Sequence, residues 1–495
     1  MKIIRKYPLY LFLLPIFFVL HGFVENYGFV DVKEALLLLA SYMFLTLSIA
    51  GFSFMFFRNW NRAALITLFW MSFFFFFAAL HEFLKQHSPV AFITRYSFLL
   101  TSALIILFGL FIYFKKTRKP FQIFSIYLNA LFIIYIVTDL SLVVWKASRN
   151  DKELLSVYSF AKDNAYKKCD TCKTPDIYFL LFDEYGSSSS LKEQYGFDND
   201  IDTFFTNHKF KVQAHSRSNY SFTPFSMSSI LNMSYIDGIK NPMSVSADDY
   251  ANCNLLIRDN EVIKFLDVQG YEIVNYSVFD LAGNPSSVDQ SFLPLKTKLI
   301  SDRTLFAHMN KDIGWLLITK FPFNLFVKNH YMKHKLNNDK FEDLVNKAPL
   351  EKKQKPRFIY AHFYMPHPPF FYDKNGKFKD EATVYHEYTT IPPASYLEYV
   401  TFVNSKIRTM LNNIQKNSPN AVIILMGDHG FREKGSTKRQ YFYQNMNAVY
   451  FPDQNYTGFY DSISGVNQFK VVLNKYFNAS FPLLKDSTVY LVDKK

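Results

Sequence analysis

Five apolar segments lie in the first 146 residues, and they constrain the fold more than any other feature of the chain. They cover residues 9–23, 35–57, 63–80, 96–114 and 121–145. Most of them approach the roughly 20 residues that a helix needs to cross a bilayer. The first resembles a signal-peptide core in length, but it lacks a small-x-small cleavage site before His21, and four more segments follow it. We therefore predict five transmembrane helices.

The positions of lysine and arginine predict the orientation of these helices. One side of the predicted bundle carries Lys2, Arg5, Lys6, Arg58, Arg62, Lys115, Lys116, Arg118 and Lys119. The short loops on the other side carry Lys33, Lys85 and Arg95. Because positively charged loops stay in the cytoplasm, we expect a multi-pass protein of the cytoplasmic (inner) membrane whose remaining chain is extracytoplasmic. Asp139 lies near the outer end of the last span, where interfacial placement is favoured over a functional role.

The net charge of +13 does not indicate a nucleic-acid-binding protein. The basic residues form no long tract, and many of them flank apolar segments, as in membrane proteins. We therefore expect no nucleic-acid partner.

The chain has three cysteines, of which Cys169 and Cys172 form a C-x-x-C pair. A zinc knuckle needs a second such pair, and the remaining cysteine is Cys253. A local disulfide or free thiols are favoured over redox activity, and both states stay open.

Strand-like and helical patterns alternate after the apolar segments. The strand-like runs are 176–182, 210–214, 271–276, 357–363, 421–426 and 448–451, and the helical patterns include 259–268, 396–416 and 465–477. This alternation predicts an α/β fold with a mostly parallel sheet sandwiched by helices. The expected division is a transmembrane domain (1–146), a juxtamembrane connector (147–175) and an extracytoplasmic domain (176–495).

Two of the predicted strands end in residues that suit a metal ion. The first leads into Asp183 and Glu184, and the fifth leads into Asp428 and His429. Ligand sites in open α/β sheets collect beyond the carboxyl ends of such strands. Carboxylates and an imidazole suit one divalent ion, zinc or manganese, with calcium less favoured. The alternative is that each aspartate caps a helix, but the two motifs together favour one shared site.

Thr223 is the best candidate for a nucleophile beside this metal. It precedes Pro224 and a helix-like run, which is the pattern of an N-cap residue with proline at the first helical position. The positive end of the helix dipole and a nearby metal both favour an alkoxide there. Many ordinary helices also begin with Thr-Pro, and Ser221 and Ser226 are fallback nucleophiles.

A third strand supplies histidines. His367 lies between prolines on a stiff loop after the strand, where contact with a substrate oxygen is expected, and the alternative is a solvated loop histidine. His362 is interpreted as a packed histidine within the strand. Arg432, shortly after His429, is a candidate to neutralise an anionic substrate, and the alternative is a surface arginine.

These motifs resemble those of the sulfatase-like branch of the alkaline phosphatase superfamily. The resemblance is to its five-helix membrane members, the phosphoethanolamine transferases and lipoteichoic acid synthase, a phosphoglycerol transferase. Asp428-His429-Gly430 matches the D-H-G metal motif of these proteins. Asp183 stands at the position of their first metal ligand, and Glu184 at that of their second acidic residue. Thr223 matches their threonine nucleophile, and His367 matches a histidine that contacts the substrate. The architecture of the whole chain resembles that of these proteins, and the matching motifs lie within residues 176–451. The resemblance implies that residues 176–495 form a catalytic domain.

The resemblance implies a metal-dependent transferase with a phospho-threonine intermediate on Thr223. It would move a phosphoethanolamine-type or phosphoglycerol-type headgroup from a membrane phospholipid to a cell-envelope glycan or lipid. The C/S-x-P-x-R motif of formylglycine sulfatases is missing around Thr223, which argues against a conventional sulfatase. The alternatives are a sulfuric-ester or phosphate-ester hydrolase and a non-catalytic membrane binding protein. Donor, acceptor, a second metal and the oligomeric state are left open.

Overall fold

The computed structural model describes residues 7–117, 119–148, 166–239, 241–288, 296–312 and 325–492. Contacts divide the chain into two compact units, Met1–Leu154 with Pro294–Leu317, and Leu155–Leu293 with Ile318–Lys495. Most of the predicted connector lies outside the described residues, and the predicted domain boundaries stay predictions. Each unit is described by itself below.

The first unit is helical. Its long chain segment forms α1 (Tyr10–Glu25), α2 (Val32–Phe57), α3 (Trp60–Phe75), α4 (Phe77–His87), α5 (Tyr96–Lys116) and α6 (Gln122–Ser148), with a 3₁₀ turn at Ala91–Thr94. Two short helices, Lys298–Ser301 and Leu305–Asp312, complete the unit. Side-chain caps define two helix starts, because Asp31 accepts a hydrogen bond from the Lys33 N–H at 2.7 Å and Asn59 accepts one from the Arg62 N–H at 3.2 Å.

Three of the described helices, α2, α5 and α6, are long and apolar enough to cross a membrane. The protein is therefore a membrane protein. α3 and α4 together add a fourth span if they act as one, although they are bent by 62° at Phe76. α1 is apolar but has 16 residues, fewer than the roughly 20 that a spanning helix needs. All five predicted apolar segments are helical, and the count of five spans stays a prediction.

Close packing joins the helices of the first unit, including its two short ones. The rings of Phe18 and Phe75 stack with centroids 4.4 Å apart, which ties α1 to α3. A Cβ atom at Gly22 would lie 2.8 Å from Ile300 Cγ2, so the glycine permits Lys298–Ser301 to lie against α1. Leu305, in the other short helix, packs with Phe77 and Leu99 in an apolar cluster.

The second unit contains a mixed six-stranded sheet. Its strands are β1 (Ile177–Phe182), β2 (Lys211–Val212), β3 (Glu272–Tyr276), β4 (Arg357–Phe363), β5 (Val422–Gly427) and β6 (Asn447–Tyr450). Their order is β2-β6-β5-β1-β4-β3. The pairs β5-β1, β1-β4 and β4-β3 are parallel, and β6 and β2 add antiparallel pairs at one edge. The predicted fold class is confirmed, and each of the six strands lies at its predicted run.

Helices flank this sheet. They are Ser188–Tyr195, Ile201–Asn207, Thr223–Asn232, Ala247–Arg258, Glu261–Val268, Leu325–Lys347, Glu381–Thr390, Pro393–Asn417 and Gly465–Phe477, with 3₁₀ turns at Ala348–Leu350 and Arg439–Tyr443. Every residue of β1, β4 and β5 is buried, as expected for central strands covered on both faces. The covering helices thus explain why these strands read as unbroken apolar runs.

Two of the three cysteines are joined. Cys169 and Cys172 form a disulfide, which is one of the two states that the sequence left open. Cys253 is a free thiol in an apolar cluster with Tyr220 and Phe225. Burial raises the pKa of this thiol well above its ordinary value, so it has no thiolate character to support chemistry.

Candidate metal centre and active site

The sheet register brings two acidic motifs to the same edge. Phe182, the last residue of β1, pairs with Phe363 of β4 on one side and with Gly427 of β5 on the other. Asp183 and Asp428 each follow directly, and both side chains are buried. The Asp183 N–H donates to the Phe363 carbonyl at 2.9 Å, which fixes the chain as it leaves β1. The two carboxylates therefore come together because parallel strands end at one edge.

The two oxygens of Asp428 have different surroundings. Oδ1 accepts hydrogen bonds from the backbone N–H groups of Glu184 and His429, both at 2.9 Å. Oδ2 has no hydrogen-bond partner among the described residues, although His429 Nε2 lies 3.3 Å away. A buried carboxylate oxygen without a partner is costly, so Oδ2 is the atom that a bound cation would satisfy.

Gly430 makes the tight turn after the motif possible. A Cβ atom at this position would collide with the carbonyl oxygens of Tyr441 and Gln444, and the Gly430 N–H donates to Phe442 O at 2.9 Å. His429 Nδ1 lies 2.9 Å from Gly430 O. Since a carbonyl only accepts, Nδ1 carries the proton and Nε2 presents its lone pair to the site, which is the usual state of a metal-binding histidine.

Thr223 lies beside this lone pair. It is the first residue of the helix Thr223–Asn232, whose cap residue is Phe222, so the helix begins one residue earlier than the predicted N-cap assignment places it. Thr223 Oγ1 donates to Asp183 Oδ1 at 3.4 Å and lies 3.4 Å from His429 Nε2. Its hydroxyl thus points at the acidic cluster from the positive end of a helix.

The fallback nucleophiles have other surroundings. Ser226 Oγ donates to the backbone carbonyl of Asp428 at 2.5 Å, which ties the helix to the D-H-G turn. Ser221 is buried and its side chain hydrogen bonds with Tyr443, whereas the hydroxyl that contacts Asp183 and His429 is that of Thr223. Thr223 is therefore the hydroxyl that the fold places at the cluster.

His362 belongs to the cluster, although the sequence indicated only a packed histidine. His362 of β4 pairs with Leu181 of β1, and Leu181 also pairs with Met426 of β5. Asp183 and Asp428 follow Leu181 and Met426 by two residues. Since side chains two apart along a strand point to the same face, the two aspartates share the face of His362. Ligand atoms of Asp183, His362 and Asp428 lie within 4.8 Å of one another. His362 is also a buried strand residue, as predicted, and its Nδ1 lies 2.9 Å from Tyr360 Oη. The sequence signal for this role was that His362 is a polar residue near the end of an apolar strand.

Glu184 turns away from the acidic cluster toward a basic group. Its backbone is in the left-handed region, with φ of 64°. Its Oε1 accepts hydrogen bonds from both the backbone N–H (2.8 Å) and Nε (3.1 Å) of Arg432. The structure therefore pairs Glu184 with a guanidinium, and does not place it among the grouped ligand atoms of the described residues.

Arg432 and His367 form a polar pair at the more open side of the site. Arg432 Nη2 lies 3.3 Å from His367 Nε2, and the guanidinium lies over the ring of Phe222, 5.5 Å from its centroid. His367 Nδ1 is 2.7 Å from Pro368 O, so Nε2 again holds the lone pair. Their side chains are 25% and 17% exposed, whereas those of Asp428 and His429 are fully buried, so this is the more exposed side of the site.

The electrostatics match a site that lacks positive charge. Burial, followed by repulsion from Asp428 and Glu184, raises the pKa of Asp183 well above its usual range. Burial, followed by the charge of Arg432, lowers the pKa of His429 to about 3. Burial lowers the pKa of His362 to about 4. Metal binding requires neutral imidazoles, as these lowered pKa values give, and ionised carboxylates, which the positive charge of a bound metal would favour.

The residues present fit a divalent metal ion. Three carboxylates face one guanidinium, which leaves two negative charges without compensation when the histidines are neutral. Asp183, Asp428 and His429, with the hydroxyl of Thr223, supply a mixed oxygen and nitrogen donor set, and His362 is a further donor. Such a set suits zinc or manganese. A buried metal site is therefore consistent with the donors, with their charge and with the unpaired Oδ2 of Asp428.

Comparison with known families identifies the class of domain. Residues 276–468 match the sulfatase family model. This segment is similar to a sulfatase domain. The matched segment contains His362, Asp428 and His429, and it begins after Asp183 and Thr223. The predicted resemblance to the sulfatase-like branch, and with it an enzyme of the alkaline phosphatase superfamily, is confirmed, whereas the roles of the individual site residues stay predictions.

Several solved structures are similar to this chain at low identity. Lipooligosaccharide phosphoethanolamine transferase A from Neisseria meningitidis is 12% identical, with a TM-score of 0.36 over 96% of each chain. The C-terminal periplasmic domain of EcEptC from Escherichia coli, in complex with Zn, is 11% identical, with a TM-score of 0.38 over 66% of this chain and 89% of that chain. A phosphonate monoester hydrolase from Silicibacter pomeroyi is 12% identical, with a TM-score of 0.39 over 63% and 75%. No curated protein matches the chain.

Proposed function

We propose that this protein is a membrane-anchored, metal-dependent transferase. It moves a phospho-headgroup of the phosphoethanolamine or phosphoglycerol type from a membrane phospholipid, through a phospho-threonine on Thr223, to a glycan or lipid of the cell envelope. The observation that carries the proposal is the position of the Thr223 hydroxyl, 3.4 Å from both Asp183 Oδ1 and His429 Nε2. A hydroxyl at a helix start, among potential metal ligands, has the surroundings of an activated nucleophile.

The metal is assigned to Asp183, Asp428 and His429, with Thr223 completing the set and His362 as a further donor. A bound zinc or manganese ion supplies positive charge that favours the threonine alkoxide and the charge that develops on a phosphoryl oxygen. Glu184 is assigned instead to holding Arg432, because its Oε1 accepts both hydrogen bonds from that residue, while its Oε2 lies 3.6 Å from His367 Nε2.

In the first half-reaction, Thr223 Oγ1 bonds to phosphorus and the bond from phosphorus to the diacylglycerol oxygen breaks. The hydroxyl proton of Thr223, directed at Asp183 Oδ1 at the start, passes to the departing oxygen, which leaves as the alcohol of diacylglycerol. Arg432 and His367, at the open side of the site, contact the anionic oxygens of the substrate. Glu184 binds the backbone N–H and Nε of Arg432, so its two Nη groups, of which Nη2 lies 3.3 Å from His367 Nε2, face the substrate side.

In the second half-reaction, an acceptor hydroxyl attacks the phospho-threonine and regenerates Thr223. His367 is placed to accept the proton of that hydroxyl, because its Nε2 carries the lone pair and its Nδ1 is held by Pro368 O at 2.7 Å. Burial lowers the pKa of His367 to about 3, so the imidazole is neutral at the start. Water in place of the acceptor would make the enzyme a hydrolase.

The proposed location is the cytoplasmic (inner) membrane, with the catalytic unit on the extracytoplasmic side. The lysine and arginine asymmetry of the loops supports this orientation. Membrane anchorage restricts the enzyme and a lipid donor to one interface and so raises their effective concentration. A reporter fused to the C-terminus tests the orientation, and a cytoplasmic signal would contradict it.

The decisive experiment traps the covalent intermediate. The full chain in detergent micelles is incubated with phosphatidylethanolamine that carries a deuterated headgroup, quenched in acid and mapped by peptide mass spectrometry. We expect the labelled phosphoethanolamine group on Thr223 and an equal amount of released diacylglycerol. Phosphatidylglycerol, tested in parallel, distinguishes the two headgroup types.

Two variants control this experiment. Thr223→Ala removes the hydroxyl and should abolish both the adduct and the release of diacylglycerol. Thr401→Ala changes an exposed threonine whose hydroxyl donates to Leu397 O in its own helix, and it should behave as the unmodified protein. Release of diacylglycerol by Thr223→Ala at the unmodified rate would refute the proposal, and product without any adduct would favour a direct hydrolase.

A further inference from the structure

A short segment, residues 444–446, joins the two turns that carry the acidic motifs. The neighbouring parallel strands β1 and β5 are paired as far as Phe182 and Gly427. Beyond that point, the Met446 N–H donates to Tyr185 O at 2.9 Å, and the Met446 carbonyl accepts from the Gly427 N–H at 2.8 Å. A Cβ atom at Gly427 would lie 2.5 Å from Tyr185 O, so the glycine permits this close approach. The segment therefore takes over from the strand pairing in holding the two turns together.

Asn445 lies within this segment, and its side chain is fully buried. Its Nδ2 donates to Gly427 O at 2.5 Å, and its Oδ1 accepts from Ser216 Oγ at 3.1 Å. Ser216 Oγ in turn accepts from Asn447 Nδ2 at 3.0 Å. A chain of buried hydrogen bonds thus holds Asn445, and Asn445 holds the carbonyl that immediately precedes Asp428.

Side chains hold both of the peptide carbonyls that flank the Cα atom of Asp428. Asn445 binds the preceding carbonyl, Gly427 O, and Ser226 Oγ donates to the following carbonyl, Asp428 O, at 2.5 Å. Ser226 lies one turn after Thr223 on the helix that begins there. Because peptide groups are planar, fixing the two groups around Asp428 fixes its φ and ψ angles. The direction in which the carboxylate leaves the backbone is then fixed as well.

We propose that Asn445 is a positioning residue for the metal site, with Ser226 as its counterpart on the helix of Thr223. Together they hold the Asp428 side chain so that its Oδ2 lies 3.3 Å from His429 Nε2. This inference deepens the proposed function, on which it rests in taking Asp428 as a metal ligand. It also gives Ser226 a role other than that of a nucleophile.

The expected effect is a loss of metal affinity. Removal of groups that orient a metal ligand typically lowers metal affinity or activity by about 10- to 100-fold. Asn445→Leu keeps a similar side-chain volume but removes the donor to Gly427 O and the acceptor for Ser216. We expect its Kd for zinc to rise by about 10- to 100-fold. Ser226→Ala should change the Kd in the same direction, because it releases the carbonyl of Asp428.

The test measures metal binding by the full chain in detergent micelles, independently of turnover. Competition with a zinc-chelating dye gives the Kd for zinc, and denaturant unfolding of the metal-free protein gives its stability. At saturating zinc, kcat for a phosphodiester lipid should also fall, whereas KM should be unchanged because Asn445 does not line the more exposed side of the site. An unchanged Kd for zinc in folded Asn445→Leu would overturn the proposal. If Asn445→Leu does not fold, Ser226→Ala decides by the same criterion.

Two matched variants separate positioning from a general loss of buried hydrogen bonds. Asn467 is also buried, and its side chain exchanges two hydrogen bonds of 2.8 Å with the backbone of Leu484. Ser228 is buried on the helix of the nucleophile and donates to Pro224 O at 2.7 Å. Asn467→Leu and Ser228→Ala should lose stability but keep the Kd for zinc. A rise of the Kd in these controls equal to that in Asn445→Leu would overturn the proposal.

This proposal and the proposed function fail separately. A raised Kd for zinc in Asn445→Leu, without an adduct on Thr223 in the unmodified protein, would leave the positioning role standing and contradict the transferase. An adduct on Thr223, with an unchanged Kd for zinc in Asn445→Leu and Ser226→Ala, would support the transferase and overturn the positioning role.

Discussion

The carboxylate of Asp428 accepts the backbone N–H of Glu184 at 2.9 Å, so the D-H-G turn after β5 holds the turn after β1. The same oxygen accepts the N–H of His429, also at 2.9 Å. The two oxygens of Asp428 therefore have different roles. Oδ1 fixes the backbone of the site, and Oδ2, which has no hydrogen-bond partner among the described residues, is the oxygen that we expect a cation to bind.

This division predicts different outcomes for two substitutions of Asp428. Asp428→Asn retains an oxygen for both N–H groups and should fold normally, while its metal content falls because one negative charge is lost. Asp428→Ala also leaves two buried N–H groups without an acceptor, at a cost of about 1–3 kcal/mol for each. Metal analysis and denaturant unfolding of both variants measure the difference. Equal stability of the two variants would show that Oδ1 has no structural task.

Substitution of Thr223 separates nucleophilic attack from metal binding. Thr223→Ser keeps a hydroxyl at the helix start and should retain measurable turnover. Thr223→Ala should lower turnover by at least about 10³-fold, as removal of a nucleophile does elsewhere. Circular dichroism and metal content should be nearly unchanged in both variants. A rate of Thr223→Ala close to that of the unmodified enzyme would exclude Thr223 as the nucleophile.

Arg432 should contribute through geometry as well as charge. Lysine at this position keeps the charge but loses the Nε bond to Glu184 and the planar contact with Phe222. We expect Arg432→Lys to raise KM for a phosphodiester lipid by about tenfold, because one hydrogen bond between charged groups is lost. Arg408→Lys, which alters a surface pair with Asp200, is the control and should leave KM unchanged. An unchanged KM in Arg432→Lys would remove Arg432 from substrate binding.

The strands and their chemistry were readable from the sequence because their signals are local. The apolar run of β5 leads directly into Asp428 and His429, and that of β1 leads into Asp183. Pairing of these strands with β4 depends on contacts between residues far apart in the chain. Only the register places His362 on the same face as the two aspartates, so its membership of the cluster was not predictable from its own surroundings.

Other features depended on contacts that no sequence pattern indicates. The bend of 62° between α3 and α4 occurs at Phe76, in a run of phenylalanines without proline or glycine, so the segment was predicted as one span. Glu184 looked like a further ligand because it follows Asp183. Its pairing with Arg432, 248 residues later, is a tertiary contact.

Removal of the metal should change stability in a way that depends on Asp183. The raised pKa of Asp183 shows that its charge is unfavourable in the folded protein when no cation compensates it. We therefore expect chelation to abolish turnover and to lower the melting temperature. At a metal concentration of 100 times the Kd, binding contributes about 2.7 kcal/mol. Return of zinc or manganese, added separately, should restore both properties and show which ion the enzyme uses.

Asp183→Asn should reverse the order of stability between the two states. Without metal, the variant should melt at or above the temperature of the unmodified protein, because it no longer buries an uncompensated carboxylate. With metal, it should melt below the unmodified protein, because it binds the ion weakly. Asp343→Asn, on an exposed helical pair with Lys347, should follow the unmodified protein in both states. If Asp183→Asn is destabilised equally with and without metal, Asp183 is a structural residue and the ligand set must be sought among the other residues of the cluster.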